Sequence, residues 1–244
     1  MRNIKLTIEY DGTDYSGWQS QPCAKTVQGT IEKALKDITQ ENLKLTSCSR
    51  TDKGVHARAH IANFKTSSRI PATQIQRALN AKLPEDISIS EAKEVPLKFH
   101  AQRDVKRRIY HYSILNQKFN RPITKRFSYH MPYRLDFNLM RREARALIGR
   151  HDFKAFQAKD NRERSSIRRI KKIVLIRMGD FIDIEMEADG FLYNMARIVV
   201  GTLIEIGRGK FPPGSMKKIL KSRDRTKAGP TVPPMGLILS KVIY

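Results

Sequence analysis

The spacing of apolar residues changes period repeatedly along this chain, and that alternation limits the fold more than any single motif does. Ile4, Leu6, Ile8 and Tyr10 alternate with Lys5, Thr7 and Glu9, the period-two pattern of a strand with one buried face, and Asp11-Gly12 ends it. The period then becomes helical. Thr26 stands at a capping position ahead of Val27, Ile31, Leu35 and Ile38, while Lys33, Lys36 and Asp37 fall on the opposite side. A loop over Thr46–Ala57 follows, then a strand near His60–Thr66. Pro71 announces a helix with Ile75, Leu79 and Leu83 on one face, and Ile87 and Ile89 mark a short strand.

The second half repeats the mixture. Lys106–Leu115 reads as a basic, aromatic strand with Tyr110, Tyr112 and Ile114 on one face. Leu139–Ile148 is expected to be a helix with Leu139, Ala144, Leu147 and Ile148 inward and Arg141, Arg142 and Arg145 outward. Ile173–Met178 and Phe181–Glu187 flank Gly179-Asp180 as a hairpin. Phe191–Ile206 reads as a long apolar helix ending at Gly207, and Leu237–Tyr244 as a last strand. Such a run of elements predicts an α+β chain in two parts, residues 1–104 and 105–244. No stretch has a linker composition, so the halves are expected to pack together.

Charge narrows the partners. Among 244 residues, 47 Lys and Arg stand against 24 Asp and Glu, a net charge of +23, while 40% hydrophobic residues are enough to bury a core and exclude a disordered basic tail. Nucleic acid is the first expected partner, ahead of an anionic membrane surface or an acidic protein. The clusters are Lys106-Arg107-Arg108, Arg141-Arg142-Arg145, Arg162-Arg164-Arg168-Arg169-Lys171-Lys172 and Lys217-Lys218-Lys221-Arg223-Arg225. Ala158–Ser166, polar and rich in both charges, is expected to be a mobile loop that orders on the bound nucleic acid. No run approaches the roughly 18 apolar residues of a membrane span, and Met1–Gly12 lacks a signal-peptide core, so a cytosolic chain is expected. Cys23 and Cys48 are too few for a disulfide scaffold or a zinc cage and read as reduced, packed thiols.

The segment richest in chemistry is Ser49-Arg50-Thr51-Asp52-Lys53-Gly54-Val55-His56-Ala57. It joins a helix to a strand, gathers Arg, Asp, Lys and His, offers Gly54 for a tight turn, and lets Thr51 bond local backbone. A polar turn would look much the same; the functional reading makes Asp52 a catalytic carboxylate beside a cation.

Arg50-Thr51-Asp52-Lys53-Gly54-Val55-His56-Ala57 resembles the signature of the TruA family of tRNA pseudouridine synthases, in which the Asp is catalytic. Tyr10 to Gln19, Phe99-His100-Ala101, Arg108 to Tyr112, Gly149 to Phe156, Phe191 to Gly209 and Gly229 to Leu237 resemble the family's other blocks, in order along the whole chain. Two departures are visible. Ser47-Cys48-Ser49 stands where small Gly, Ser or Ala residues are commoner, and Val232 stands where Ala is usual.

The resemblance implies the pseudouridine synthase fold: two similar ferredoxin-like α+β halves sharing a mixed, mostly antiparallel sheet, with a basic cleft between them. It implies isomerisation of uridine to pseudouridine at positions 38, 39 and 40 of the transfer RNA anticodon stem-loop, by a homodimer. That reaction changes no redox state and transfers no external group, so it needs neither cofactor nor metal. Asp52 then attacks C1′ or C6, or removes a sugar proton; all three remain open. A working Asp must be ionised, and Arg197, within Met195-Ala196-Arg197, matches the family's Met-x-Arg segment as the cation that keeps it so. Tyr110 matches the aromatic residue against the flipped uracil. Arg50 is a candidate for a phosphate or for the gap left by the flipped base. By itself a strand Tyr reads as core and a helical Arg as solvated. His56 reads as an orienting or packing residue and Cys48 as a buried filler. Three alternatives stand beside this reading: a non-catalytic basic RNA-binding module, a paralogue that modifies other uridines, and a metal-dependent nuclease, which the lack of clustered carboxylates disfavours.

Overall fold

The computed structural model of the chain describes residues 1–160 and 165–244. The elements begin with β1 (Arg2–Tyr10), α1 (Val27–Thr39), β2 (Thr46–Ser47), β3 (His56–Thr66), α2 (Ala72–Lys82) and β4 (Ile87–Val95). They continue with β5 (Arg107–Leu115), β6 (Tyr129–His130), α3 (Phe137–Ala144), β7 (Gly149–Asp152), β8 (Ile167–Met178) and β9 (Phe181–Ala188), and end with α4 (Met195–Gly207), α5 (Ser215–Ser222) and β10 (Leu237–Ile243). The fold is mixed α+β. It divides into two compact units, Met1–Lys106 with Ile238–Tyr244, and Arg107–Leu237. Among the described residues, no helix is long and apolar enough to cross a membrane. Arg162 and Arg164, and with them the middle of the Ala158–Ser166 segment, lie outside the described residues.

In the first unit the strands run β4-β1-β3-β10. β1 pairs antiparallel with both neighbours, and β10 joins β3 in parallel through Ile238↔His56 and Leu239↔Ala57. That pairing is why the last strand belongs here rather than in the expected second part, 105–244. The alternation in β1 is matched by burial: Ile4, Leu6 and Ile8 are fully buried, with Val27, Ile31 and Leu35 of α1 and Ile75 and Leu79 of α2. Thr26 caps α1 by accepting from Gly29 N at 3.2 Å, which satisfies one of the orphan donors of the first turn. The expected loop Thr46–Ala57 is shorter than its limits. Pairing with β1 extends as far as Tyr10↔Ala57, so β3 already begins at His56, and Thr46–Ser47 forms β2.

In the second unit the order is β5-β9-β8-β7, antiparallel throughout, with β6 parallel to β5. The Gly179-Asp180 hairpin joins β8 to β9 as expected. Two expectations about helices need correction, and one helix, α5, was not foreseen. The helix expected over Phe191–Ile206 starts at Met195, because Asn194 sits at φ +58°, a left-handed conformation that no helix interior accommodates. The helix expected over Leu139–Ile148 ends at Ala144 and tightens into a 3-10 turn over Arg145–Leu147, so Ile148 is 44% exposed instead of inward. The basic run Lys217–Lys221 lies on a helix, α5, whose Met216, Ile219 and Leu220 are buried while Lys217, Lys218 and Lys221 face out.

Candidate active site

The candidate residues fall into two groups, Arg50 and Asp52 in the first unit and Tyr110 and Arg197 in the second. The Asp52 loop lies against the opening loop, main chain to main chain. Trp18 N donates to Thr51 O at 3.1 Å and Gly54 N to Tyr15 O at 3.4 Å. Gly17 permits this approach: its φ is +93°, and a Cβ there would stand 2.7 Å from Thr51 O. Within the loop Val55 N donates to Asp52 O at 3.1 Å, and Gly54, at φ +76°, makes the expected turn.

Thr51 is the anchor, by a route the sequence did not suggest. Its hydroxyl was expected to bond local backbone; instead it is buried and lies 2.7 Å from the Tyr10 phenol, which is 3.3 Å from His60 Nδ1. Trp18 stacks on the His60 ring with centroids 3.8 Å apart. Around this buried residue the chain alternates, with Arg50 exposed before it and Asp52 half-buried after it. His56 is buried, and its Nδ1 sits 3.1 Å from Gly12 N and 3.0 Å from an Asp11 carboxylate oxygen, so the ring closes the opening loop onto β3. Cys48 is buried and accepts from Ile61 N at 3.4 Å, whereas Cys23 is exposed. Tyr15 completes the frame: it donates to Asp86 under the Lys25 ammonium, and burial followed by the Asp86 hydrogen bond holds its phenol well above the usual range. The only tryptophan, Trp18, was the one sequence signal that could have marked this cluster.

In the second unit Arg197 occupies the first turn of α4, half-buried. Its Nε donates to Val232 O at 2.7 Å and its Nη1 to Asn194 Oδ1 at 2.8 Å. Val232 belongs to a segment, 228–236, that runs across α4. Gly201 lets this segment approach: a Cβ there would stand 1.9 Å from Pro230 O. Thr202 Oγ1 accepts from Gly229 N at 2.9 Å, and Tyr112 OH donates to Pro233 O at 2.8 Å. The Arg197 charge bears on the Tyr112 phenol. Burial pushes its proton affinity far up, the neighbouring Tyr129 adds to this, and Arg197 opposes both. Tyr110, two residues earlier on the same face, is 6% exposed and meets Phe191 edge to face at 4.9 Å.

The cationic clusters divide by partner. Arg107 and Lys171 share Glu187, Lys172 pairs with Glu185, and Arg223 with Asp152. Arg225, placed by the sequence among outward cations, is half-buried instead; it turns toward Ala228 O and Thr231 Oγ1 at 3.3 Å each and so ties down the start of the 228–236 segment. Beside this surface, Asp183 is half-buried; burial pushes its carboxyl up, but hydrogen bonds from His111 and Ser113 outweigh it and hold it below the usual range.

The sequence model of a family described as tRNA pseudouridine synthase matches residues 6–104 and 144–244. These stretches include Arg50, Asp52 and Arg197, and Tyr110 falls between them. The chain is 49% identical to tRNA pseudouridine synthase A of Thermoanaerobacter sp. (strain X514), over 244 residues and 100% of both chains. It is 50% identical to the protein of the same name from Caldicellulosiruptor saccharolyticus and 48% identical to tRNA pseudouridine synthase A 2 of Clostridium perfringens, again over 100% of each chain. With the family model covering most of the sequence and full-length relatives near half identity, the chain belongs to the tRNA pseudouridine synthase family.

Proposed function

We propose that this chain converts uridine to pseudouridine in the anticodon stem-loop of transfer RNA, at positions 38, 39 and 40, with Asp52 as the catalytic carboxylate. The observation that carries the reading is Asp52 itself: a half-buried acid next to a buried anchor, in a loop whose main chain is held from both sides. In the reaction the bond from N1 to C1′ breaks and a bond from C5 to C1′ forms; C5 loses its proton and N1 gains one. Atoms balance without any external group. A single well-placed carboxylate, together with a place for the detached base, is what the chemistry needs.

Tyr110 is assigned to the flipped base, Arg50 to a phosphate or to the gap in the stack, and Arg197 to the positive charge required during turnover. The exposed cations of α5 and of the strand surfaces would read the RNA through its phosphates and shape. We further propose a cytoplasmic homodimer, on the family likeness and the substrate.

Asp52→Asn tests the core of the proposal. Tritium release from C5-labelled uridine in unmodified tRNA should vanish while tRNA binding persists. Full retention of release would overturn the assignment and favour the binding-module alternative. Mapping the modified positions in the wild-type product checks the target, and modification at other uridines would keep the chemistry and replace the substrate range.

A further inference from the structure

Asn194 is an unusual helix cap. Asn at such a position ordinarily turns its side chain onto the free N–H groups of the first turn, but here it makes no side-chain capping bond. The oxygen goes instead to Arg197 Nη1 at 2.8 Å. A guanidinium has only donors, so the amide must present its oxygen, and the orientation of Asn194 is fixed chemically. Its backbone, at φ +58°, aims it there: the left-handed residue ends the preceding turn and starts α4 in one step. At its other end the same guanidinium meets Val232 O, which the crossing at Gly201, the Thr202 clip and the Tyr112 hydroxyl hold in place. Arg197 is therefore gripped by a side chain from before its helix and a carbonyl from a distant segment. An arginine held at two points keeps its fork in one plane.

We infer that Asn194 is a positioning residue that aims the Arg197 guanidinium for turnover. This rests on the assignment of Arg197 made above. Two jobs of Asn194 can be separated by substitution. Glycine adopts the left-handed backbone and removes the acceptor; aspartate tolerates the same backbone and keeps an acceptor.

The test is single-turnover pseudouridine formation, with tRNA affinity and melting temperature measured in parallel, on Asn194→Gly, Asn194→Asp, Arg197→Ala and the double variant Asn194→Gly/Arg197→Ala. Asn194→Gly should lower the rate about tenfold, the worth of one hydrogen bond to a charged group, with affinity within about twofold and melting lowered by no more than the few degrees that one lost bond costs. Asn194→Asp should recover most of that loss. The double variant should be no slower than Arg197→Ala alone, because Asn194 acts through Arg197. A wild-type rate for Asn194→Gly, no recovery with aspartate, or losses that multiply in the double variant would each overturn the inference. A wild-type rate for Arg197→Ala would instead remove the assignment beneath it.

Discussion

Asp52 and Arg197 are both half-buried charged residues, yet the two regions fix them by different means. Around Asp52 the grip is on the main chain: the loop is hydrogen-bonded to the opening loop through Thr51 O and Gly54 N, and the side chain that is sunk into the core belongs to Thr51. Around Arg197 the grip is on the side chain's far end, with the guanidinium bonded to Val232 O and to Asn194 Oδ1. The difference follows side-chain length. A short carboxylate goes wherever its Cα is placed, whereas an arginine has enough freedom to waste a well-placed helix unless its far end is tied.

The largest effect should come from Gly201→Ala. The new Cβ would stand 1.9 Å from a main-chain oxygen, so the crossing segment must move and release Val232 O. We expect a loss of about 3 kcal/mol or more, beyond ordinary overpacking, read as a lowered urea midpoint, and a fall in turnover with it. A midpoint equal to wild type would show that the segment can shift freely and that the grip on Arg197 is loose. Thr51→Val comes next and attacks the other side of the comparison. It removes a buried hydroxyl 2.7 Å from the Tyr10 phenol, a loss of about 1–2 kcal/mol, with a severalfold lower rate and unchanged tRNA affinity; Thr51→Ser should restore both. If the rate is unaffected, the Thr51 hydroxyl is not needed to position Asp52.

Tyr112→Phe should have the smallest effect, about 1 kcal/mol at neutral pH for the bond to Pro233 O. It also carries a pH signature. Burial makes the folded chain hold the Tyr112 proton more tightly than the unfolded chain does, so the contribution is whole below about pH 10 and shrinks as pH rises past that value. The variant should accordingly lose stability less steeply than wild type between about pH 9 and 11, with Tyr15 still contributing to the slope in both. Equal slopes would mean that the Tyr112 phenol is ordinary.

What could be read from sequence was local. The period-two run of β1, the Thr26 cap, the Gly179-Asp180 hairpin and the core side of Tyr110, Tyr112 and Ile114 all depend on neighbours in the chain, and the structure reproduces them. Periodicity failed where one backbone angle decided the matter: Leu192 keeps the apolar spacing of α4 and is buried, but the left-handed Asn194 puts it outside the helix. Met216, Ile219 and Leu220 did carry a helical signal for α5, masked by the lysines among them. The cluster of Tyr10, Trp18, Thr51 and His60 was not legible, because its members are far apart in sequence and meet only through the register of β1 on β3, Ile8↔His60 and Tyr10↔Ala57. The inward turn of Arg225 was hidden for a similar reason. Nothing in a basic run marks a cation that faces a carbonyl.

The first unit is not continuous along the chain. Besides residues 1–106 it needs β10, which lies beside β3 and whose last residue, Ile243, accepts through its carbonyl from Lys106 N at 2.8 Å, and Tyr244 after it, whose hydroxyl donates to Ala101 O at 2.7 Å. During synthesis at about 5–20 residues per second, the segment that carries Asp52 waits on the order of ten seconds for the strand that completes it. Over that interval β3 presents an unpaired edge at His56 and Ala57, immediately after the Asp52 loop. A chain without β10 therefore lacks part of the unit that holds the Asp52 loop, so the frame around that loop closes only after residues nearly two hundred positions later have joined it.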